Sequence, residues 1–402
     1  MLCGTYPWHD PSSMALLAAK EKGNWWDDLK LLLRQLYELI HAAGGSEEEN
    51  LNFLQDEAKK SFPSDHLRIV PLMMDIFYML GYPLNKDQDV YQQKGLKMAQ
   101  VNDNEFQERW NEILDDFKTY LQPPKMALKT TLNVEDRGNV EQALQIIEEE
   151  RPVTETLRLK SLALKSTVIG GFYETGGFCN HMENLTDLVK KRKGELYPFV
   201  AIDPRRPGII DTLLSGSFFS GEGRFYGVKL YPRMGFHSQC KPMDAVYQYC
   251  SDNNLPITFH CGKGGFPPST TWKYAEFGNP LNFEPVVKKY PNLKIDFAHM
   301  GSSDPSPAHD WANSIVRLVN ENENVYSDLS CYTNPDDLIS IRKFWDGNPK
   351  LRSRLMFGTD FDVMYFTGKI TMKTYYQNFK DTFNADELRI LMVDNPGRFM
   401  GL

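Results

Sequence analysis

The sequence predicts an α/β fold, a distorted (β/α)8 TIM barrel with a helical N-terminal segment and a helical insertion. Three observations carry that reading. From residue 181 onward, helix-period and strand-like segments alternate in six strict repeats, and such alternation implies right-handed crossovers and a parallel sheet. His260, His299 and Asp360 stand where strand-like runs break into loops, the end of the strand at which such barrels keep their chemistry. An open doubly wound sheet would carry a phosphate-binding fingerprint in its first strand–helix turn. The stretch Gly221-Glu222-Gly223-Arg224-Phe225-Tyr226-Gly227 has the wrong spacing and enters a strand instead of a helix.

Residues 1–66 are expected to form a helical N-terminal segment. Residues 25–43 place Trp26, Leu29, Leu32, Leu33, Leu36 and Ile40 on one stripe, and Gly44-Gly45 ends it. His41 then sits at a helix end, where a cation is favoured. Ser46 followed by Glu47-Glu48-Glu49 reads as a new N-cap with acids in the first turn, which suits the helix dipole. Residues 67–402 form the barrel unit. Its first strand is expected at 67–75, and a polar helical insertion follows at about 81–165, with helices at 104–121 and 134–150. The insertion reads as a cap over the core or an oligomer surface, so homo-oligomer formation is left open. Gly170 to Gly177 reads as a hinge or loop.

From there the chain is regular. Strands are expected at 196–203, 225–231, 256–260, 293–299, 325–329 and 354–359. Between and after them lie helices at 181–192, 207–215, 241–252, 283–290, 308–321, 336–345, 371–383 and 385–393. With residues 67–75 this makes seven strands, one short of a closed eight-stranded barrel.

The chain has 402 residues and a formal net charge of −8, without a Lys/Arg block. That balance argues against nucleic acid or an anionic membrane as partner. No apolar run approaches the roughly 18–20 residues of a membrane span, and the N-terminus shows no secretory signal. The six cysteines, at positions 3, 179, 240, 250, 261 and 331, form no C-x-x-C pair and read as reduced, buried thiols. A cytoplasmic enzyme acting on a small molecule is the expectation.

Strand alternation puts Thr258 with His260, Lys229 with Tyr231, and Gly358 with Asp360 on common faces. If each strand end points into the barrel mouth, His260, His299 and Asp360 converge there beside Lys229 and Tyr231. Imidazole and carboxylate suit zinc or a similar divalent ion, which activates water and polarises a carbonyl. A lone strand-end histidine is usually a hydrogen-bonded core residue, and Asp360 alone could cap a turn. Two histidines and an aspartate at three strand ends favour a shared site. Arg233, in the loop after Tyr231, is a candidate carboxylate clamp, and His237 in the same loop is a candidate substrate contact. His181 and His309 read as capping or solvent contacts.

Six stretches, at 198–206 (PFVAIDPRR), 227–232 (GVKLYP), 257–262 (ITFHCG), 290–301 (YPNLKIDFAHMG), 355–362 (LMFGTDFD) and 395–402 (NPGRFMGL), resemble the amidohydrolase superfamily. The likeness is to its branch of metal-dependent hydrolases and decarboxylases related to aminocarboxymuconate-semialdehyde decarboxylase. The resemblance implies that His260 is a metal ligand and that His299 is a second ligand or the group that orients water and substrate. Asp360 would be the metal-bound acid/base. It also implies a divalent metal, zinc with manganese or iron as alternatives, and no organic cofactor. The expected activity is hydrolysis of a small carboxylate or carbonyl substrate. Non-oxidative decarboxylation on the same site and a metal-depleted, ligand-binding barrel are the alternatives.

The sequence departs from the family pattern in one respect. The family's first strand ends in His-x-His, and no His-x-His occurs in this chain. Three explanations stand open: the chain begins after that strand, His9 and Asp10 substitute for the pair, or the metal site has been lost. The first is the expectation, with Lys229 an interior ion-pair or substrate residue and not a carbamylated metal bridge.

Overall fold

The computed structural model describes residues 47–63, 67–74, 84–87, 167–169, 172–174, 176–206, 208–262, 274–301, 310–361 and 370–402. The helices expected at 25–43, 104–121 and 134–150 lie outside the described residues. So do nearly all of the insertion at about 81–165, and His9, Asp10, His41 and His309.

Six parallel strands form one sheet: β3 (Phe199–Ala201), β4 (Gly227–Leu230), β5 (Ile257–Phe259), β6 (Ile295–Phe297), β7 (Val325–Asp328) and β8 (Leu355–Met356). They pair strictly in chain order. A seventh position precedes them. Ile69 bridges Leu196 and Leu72 bridges Phe199, both in parallel, with Ile69 N–H donating to Glu195 O at 2.8 Å and Phe199 N–H to Pro71 O at 2.9 Å. Sequential parallel order is the order of a (β/α)8 barrel. Among the described residues β8 does not pair with 69–72, so the sheet is unclosed on that side. The seven expected strand positions are all occupied.

These runs become strands because they are short, β-branched or aromatic, and buried on both faces. Every residue of β3 through β8 is buried. The crossovers are helical: α2 (Gly176–Lys191), α3 (Ile209–Leu214), α4 (Lys241–Asp252), α5 (Glu284–Lys289), α6 (Asp310–Glu321), α7 (Pro335–Gly347) and α8 (Pro349–Arg352). Helix α6 shows the logic. Trp311, Ala312, Ile315, Leu318 and Val319 are buried, and their spacing is the apolar stripe of a helix lying on a sheet. Asn334 caps α7 by accepting the Asp336 N–H at 3.1 Å. Between sheet and helices, Phe283 meets Phe259 at 3.9 Å and Phe297 at 5.8 Å between ring centroids.

The chain ends with α9 (Met372–Thr382), α10 (Ala385–Arg389) and α11 (Asn395–Met400). Asn384 and Glu387 form a reciprocal capping box at α10. The fully buried Asn395 amide donates to Leu355 O at 2.6 Å and to Arg352 O at 2.8 Å, so the last helix fastens the last strand. An N-terminal helix, α1 (Glu47–Ser61), packs against α9 and α2.

Helices α8 and α11 are additional to those expected, and two further elements differ from expectation. Residues 172–174, expected in a loop, form β2 (Phe172–Glu174), antiparallel to β1 (Thr167–Ile169). Glycines flanking apolar residues mark a hairpin turn as readily as a loop. Helix α2 starts at Gly176, five residues before the expected start at 181, and thus includes two glycines of intrinsically poor helix propensity.

Packing between β3 and β4 requires a glycine. A Cβ on Gly227 would lie 2.6 Å from Cζ of Phe199, whose ring is fully buried and packed on Phe399. Gly227→Ala is expected to cost about 1–3 kcal/mol through overpacking, read as a lower denaturant midpoint at unchanged slope. Wild-type stability in that variant would contradict the close approach.

Candidate metal centre

The candidate groups stand just past the strands. His260 follows β5 directly, is fully buried, and still donates its N–H to Leu230 O of β4 at 2.9 Å. His299 lies in the tight turn Ala298–Gly301 after β6. Cys331 lies after β7 and Asp360 after β8. His299 (φ 62°), Met300 (φ 47°), Cys331 (φ 65°) and Asp360 (φ 47°) all adopt the left-handed conformation. For residues with a Cβ this costs of the order of 1–3 kcal/mol each and persists only where surroundings enforce it.

The enforcement is visible. The Asp328 carboxylate accepts the His299 N–H at 3.0 Å, the Ser330 N–H at 2.8 Å and the Ser330 hydroxyl at 2.5 Å, all at Oδ1. Cys331 N–H donates to Thr359 O at 3.3 Å. The Tyr375 hydroxyl lies 2.8 Å from Leu329 O and 2.7 Å from Gly358 O, tying the loops after β7 and β8 together.

This network assigns the His299 tautomer. The Ser330 hydroxyl has one proton and gives it to Asp328. Its oxygen, 2.8 Å from His299 Nδ1, therefore accepts from Nδ1–H. In the neutral ring Nε2 then carries the lone pair. Nε2 faces His260 Nδ1 at 3.2 Å and Asp360 Oδ2 at 3.5 Å. The Tyr231 ring stacks on His260 with centroids 4.0 Å apart and planes within 6°. An imidazole whose far nitrogen is held by a hydrogen-bonded carboxylate system is the usual support of a metal ligand.

Among the described residues, His299, Cys331 and Asp360 are the group whose ligand atoms all lie within 4.8 Å of one another. The donor types and spacing fit a divalent ion. Burial pushes the Asp360 carboxyl above its ordinary range, against the pull of His299 and Lys229. Burial also pushes Asp328 up, but the electrostatic influence of His299 and the hydrogen bonds accepted from Ser330 and the His299 N–H outweigh it and hold that carboxyl below its ordinary range. Asp296, buried beside Asp328, is driven well above its ordinary range by desolvation and its neighbour's charge, although the Thr258 hydroxyl donates to it at 3.1 Å.

A cavity of about 340 Å³ reaches this cluster from the unclosed side of the sheet. Leu67, Leu72, Phe361 and Phe399 line it together with Asp296, Asp328, Ser330 and Asp360.

Of the residues singled out from sequence, the structure brings His260, His299, Asp360 and Tyr231 together. Lys229, 4% exposed, acts electrostatically on Asp360 and Asp296. Arg233 is fully buried in the turn after β4. The His237 ring accepts the Gln239 N–H at 3.1 Å and packs edge-on against Phe277, and burial pushes its pKa down. Sequence reasoning missed Asp296, Asp328, Ser330 and Cys331. The signal was present in Asp328-Leu329-Ser330-Cys331, three polar groups at the end of an apolar strand.

The amidohydrolase family profile matches residues 152–402. The chain belongs to the amidohydrolase family. That stretch contains every strand from β3 to β8 and the whole polar cluster. No curated protein matches the chain. Among solved structures, it is similar to an uncharacterized TIM-barrel protein from Bordetella bronchiseptica, at 16% identity and a TM-score of 0.41 over 63% of this chain and 84% of that one. It is also similar to 2,6-dihydroxybenzoate decarboxylase from Rhizobium, at 15% identity and a TM-score of 0.42 over 56% and 76%. A third is 5-carboxyvanillate decarboxylase from Novosphingobium aromaticivorans complexed with manganese and 4-hydroxy-3-methoxy-5-nitrobenzoic acid, at 14% identity and a TM-score of 0.40 over 56% and 69%. Among the described residues no helix is long and apolar enough to cross a membrane.

The Asp296 environment has a pH signature. Its folded pKa is raised above the ordinary 3.8, so the stability it contributes is full below that value and drains as pH rises toward the folded pKa. Asp296→Asn keeps a neutral group and the Thr258 contact. The metal-free Asn variant is expected to gain on wild type as pH rises above about 4, by at most about 1.4 kcal/mol per pH unit, in denaturant titrations. Parallel pH curves for the two proteins would refute the assignment.

Proposed function

We propose that this family member is a metal-dependent hydrolase of the amidohydrolase type, acting on a small carboxylate or carbonyl substrate. The observation that carries it is the acceptor nitrogen of His299, oriented by Ser330 and Asp328, facing Asp360 Oδ2 at 3.5 Å. His299 and Asp360 would hold the ion, zinc, or manganese or iron, and His260 stands beside His299 at 3.2 Å. Such an ion, when bound, lowers the pKa of a water to about 7 and polarises a carbonyl.

The remaining work falls to the chain itself. Asp360, made more basic by burial, takes the proton of the attacking water and passes it to the leaving group. His299 stays fixed by its Nδ1–H contact, which keeps its Nε2 lone pair aimed at the ion site. Tyr231 holds the His260 ring by stacking. Lys229 and Arg233, both buried on β4 and the turn after it, are the cations that would receive a substrate carboxylate. The cavity of about 340 Å³ would limit the substrate to small molecules.

The test is a panel of small amides and lactones, and a parallel set of hydroxybenzoates, assayed with zinc- or manganese-supplied protein. Acid release from an amide or lactone is the expected result. Asp360→Asn should lower it about 10²- to 10⁴-fold, the usual weight of one positioned proton carrier, with an unchanged circular dichroism spectrum. Turnover that survives in Asp360→Asn would overturn the role given to this residue. Carbon dioxide release without hydrolysis would replace the hydrolase by a decarboxylase.

A further inference from the structure

We propose that Cys331 is a metal ligand of this site. Its thiolate completes, with His299 Nε2 and an Asp360 carboxylate oxygen, a three-donor sulfur–nitrogen–oxygen set. That set would favour zinc or cobalt over manganese or magnesium. The inference rests on the metal-dependent reading above and adds to it the donor that decides which metal is held.

The distances carry the argument. Bonds of about 2.3 Å to sulfur and about 2.0–2.1 Å to nitrogen and oxygen, at tetrahedral angles, put sulfur and oxygen about 3.5 Å apart and nitrogen and oxygen about 3.3 Å apart. Here Cys331 Sγ lies 3.4 Å from Asp360 Oδ2, and His299 Nε2 lies 3.5 Å from the same oxygen. The third edge also falls within the 4.8 Å that the group spans. The three side chains are thus spaced as ligands around one ion. All three also share the left-handed backbone, a coincidence that packing alone does not call for.

The other described cysteines are placed differently. Cys240, Cys250 and Cys261 belong to the apolar core, where a thiol serves as a small hydrophobe. Cys331 instead points its thiol at a carboxylate. On metal binding the S–H bond breaks, the proton leaves to solvent and a metal–sulfur bond forms. No oxidant or reductant is involved. Three protein donors leave one position for water or substrate, which is the pattern of catalytic and not structural zinc. A soft thiolate among harder donors biases the choice toward zinc and cobalt.

The experiment is a cobalt(II) titration of the metal-free full chain, followed by absorbance. Wild type is expected to bind one equivalent, with visible ligand-field bands and a near-ultraviolet sulfur-to-cobalt charge-transfer band. Cys331→Ser should keep the visible bands, lose the charge-transfer band, and bind zinc at least about tenfold more weakly with a smaller effect on manganese. Cys261→Ser should retain the band. Zinc should also protect the Cys331 peptide of wild type from alkylation, a readout that needs no variant to fold. Visible bands without a charge-transfer band in wild type, or a band that survives in Cys331→Ser, would overturn the role of Cys331 and leave the metal site standing. Failure of wild type to take up cobalt or zinc would overturn this inference together with the metal-dependent reading.

Discussion

The site depends on one carboxylate. Asp328 gathers the His299 N–H, the Ser330 N–H and the Ser330 hydroxyl on a single oxygen. Through these three bonds it bends the backbone at His299 into the left-handed region and fixes the Ser330 proton. It also leaves His299 Nε2 as the acceptor that faces Asp360. A buried carboxylate is costly to desolvate, and here charge-assisted hydrogen bonds offset that cost. Removing Asp328 would therefore disturb the turn, the tautomer and the neighbouring Asp296 at once.

The barrel architecture explains why the parts meet. Parallel strands in chain order bring successive loops to one end of the sheet, so groups separated by dozens of residues become neighbours. The strands themselves are short and buried on both faces, and they supply rigidity more than chemistry. The reactive atoms come from the left-handed turns that follow them. Tyr375, bridging the carbonyls of Leu329 and Gly358, and Asn395, fastening Leu355, brace the β7 and β8 ends from the C-terminal helices. That bracing matters because, among the described residues, β8 pairs only with β7 and the Asp360 loop has a strand neighbour on one flank.

Much of this was legible in the sequence. Alternating helix and strand periods located the seven strand positions, from 69–72 to Leu355–Met356, and the strand-end rule brought His260, His299 and Asp360 together. The rule picked out His260, His299 and Asp360 but passed over Asp328, the last residue of β7, and Cys331 in the turn beyond it. Period-two alternation says nothing about a side chain delivered by a left-handed turn, and a non-glycine residue in that conformation has no local signature. Cys331 was therefore read as a buried thiol like Cys250. Ser330 and Asp328 passed as the polar end of an unremarkable strand, because their value lies in hydrogen bonds to a residue from the neighbouring strand end. The strand at Phe172–Glu174 falls in the stretch 170–177 that reads as a hinge or loop, since glycine pairs punctuate both. The departure from the family's His-x-His pattern was plain in the sequence, and the donor that could answer it was not.

The central claim is that this chain's own residues at the strand ends hold a divalent metal. Its most direct test is an anomalous difference map at the zinc absorption edge, from crystals of the protein grown with zinc. The account expects one strong peak about 2.0–2.3 Å from His299 Nε2 and an Asp360 carboxylate oxygen. A map with no peak between these two residues, or with ordered zinc only elsewhere on the molecule, would contradict it.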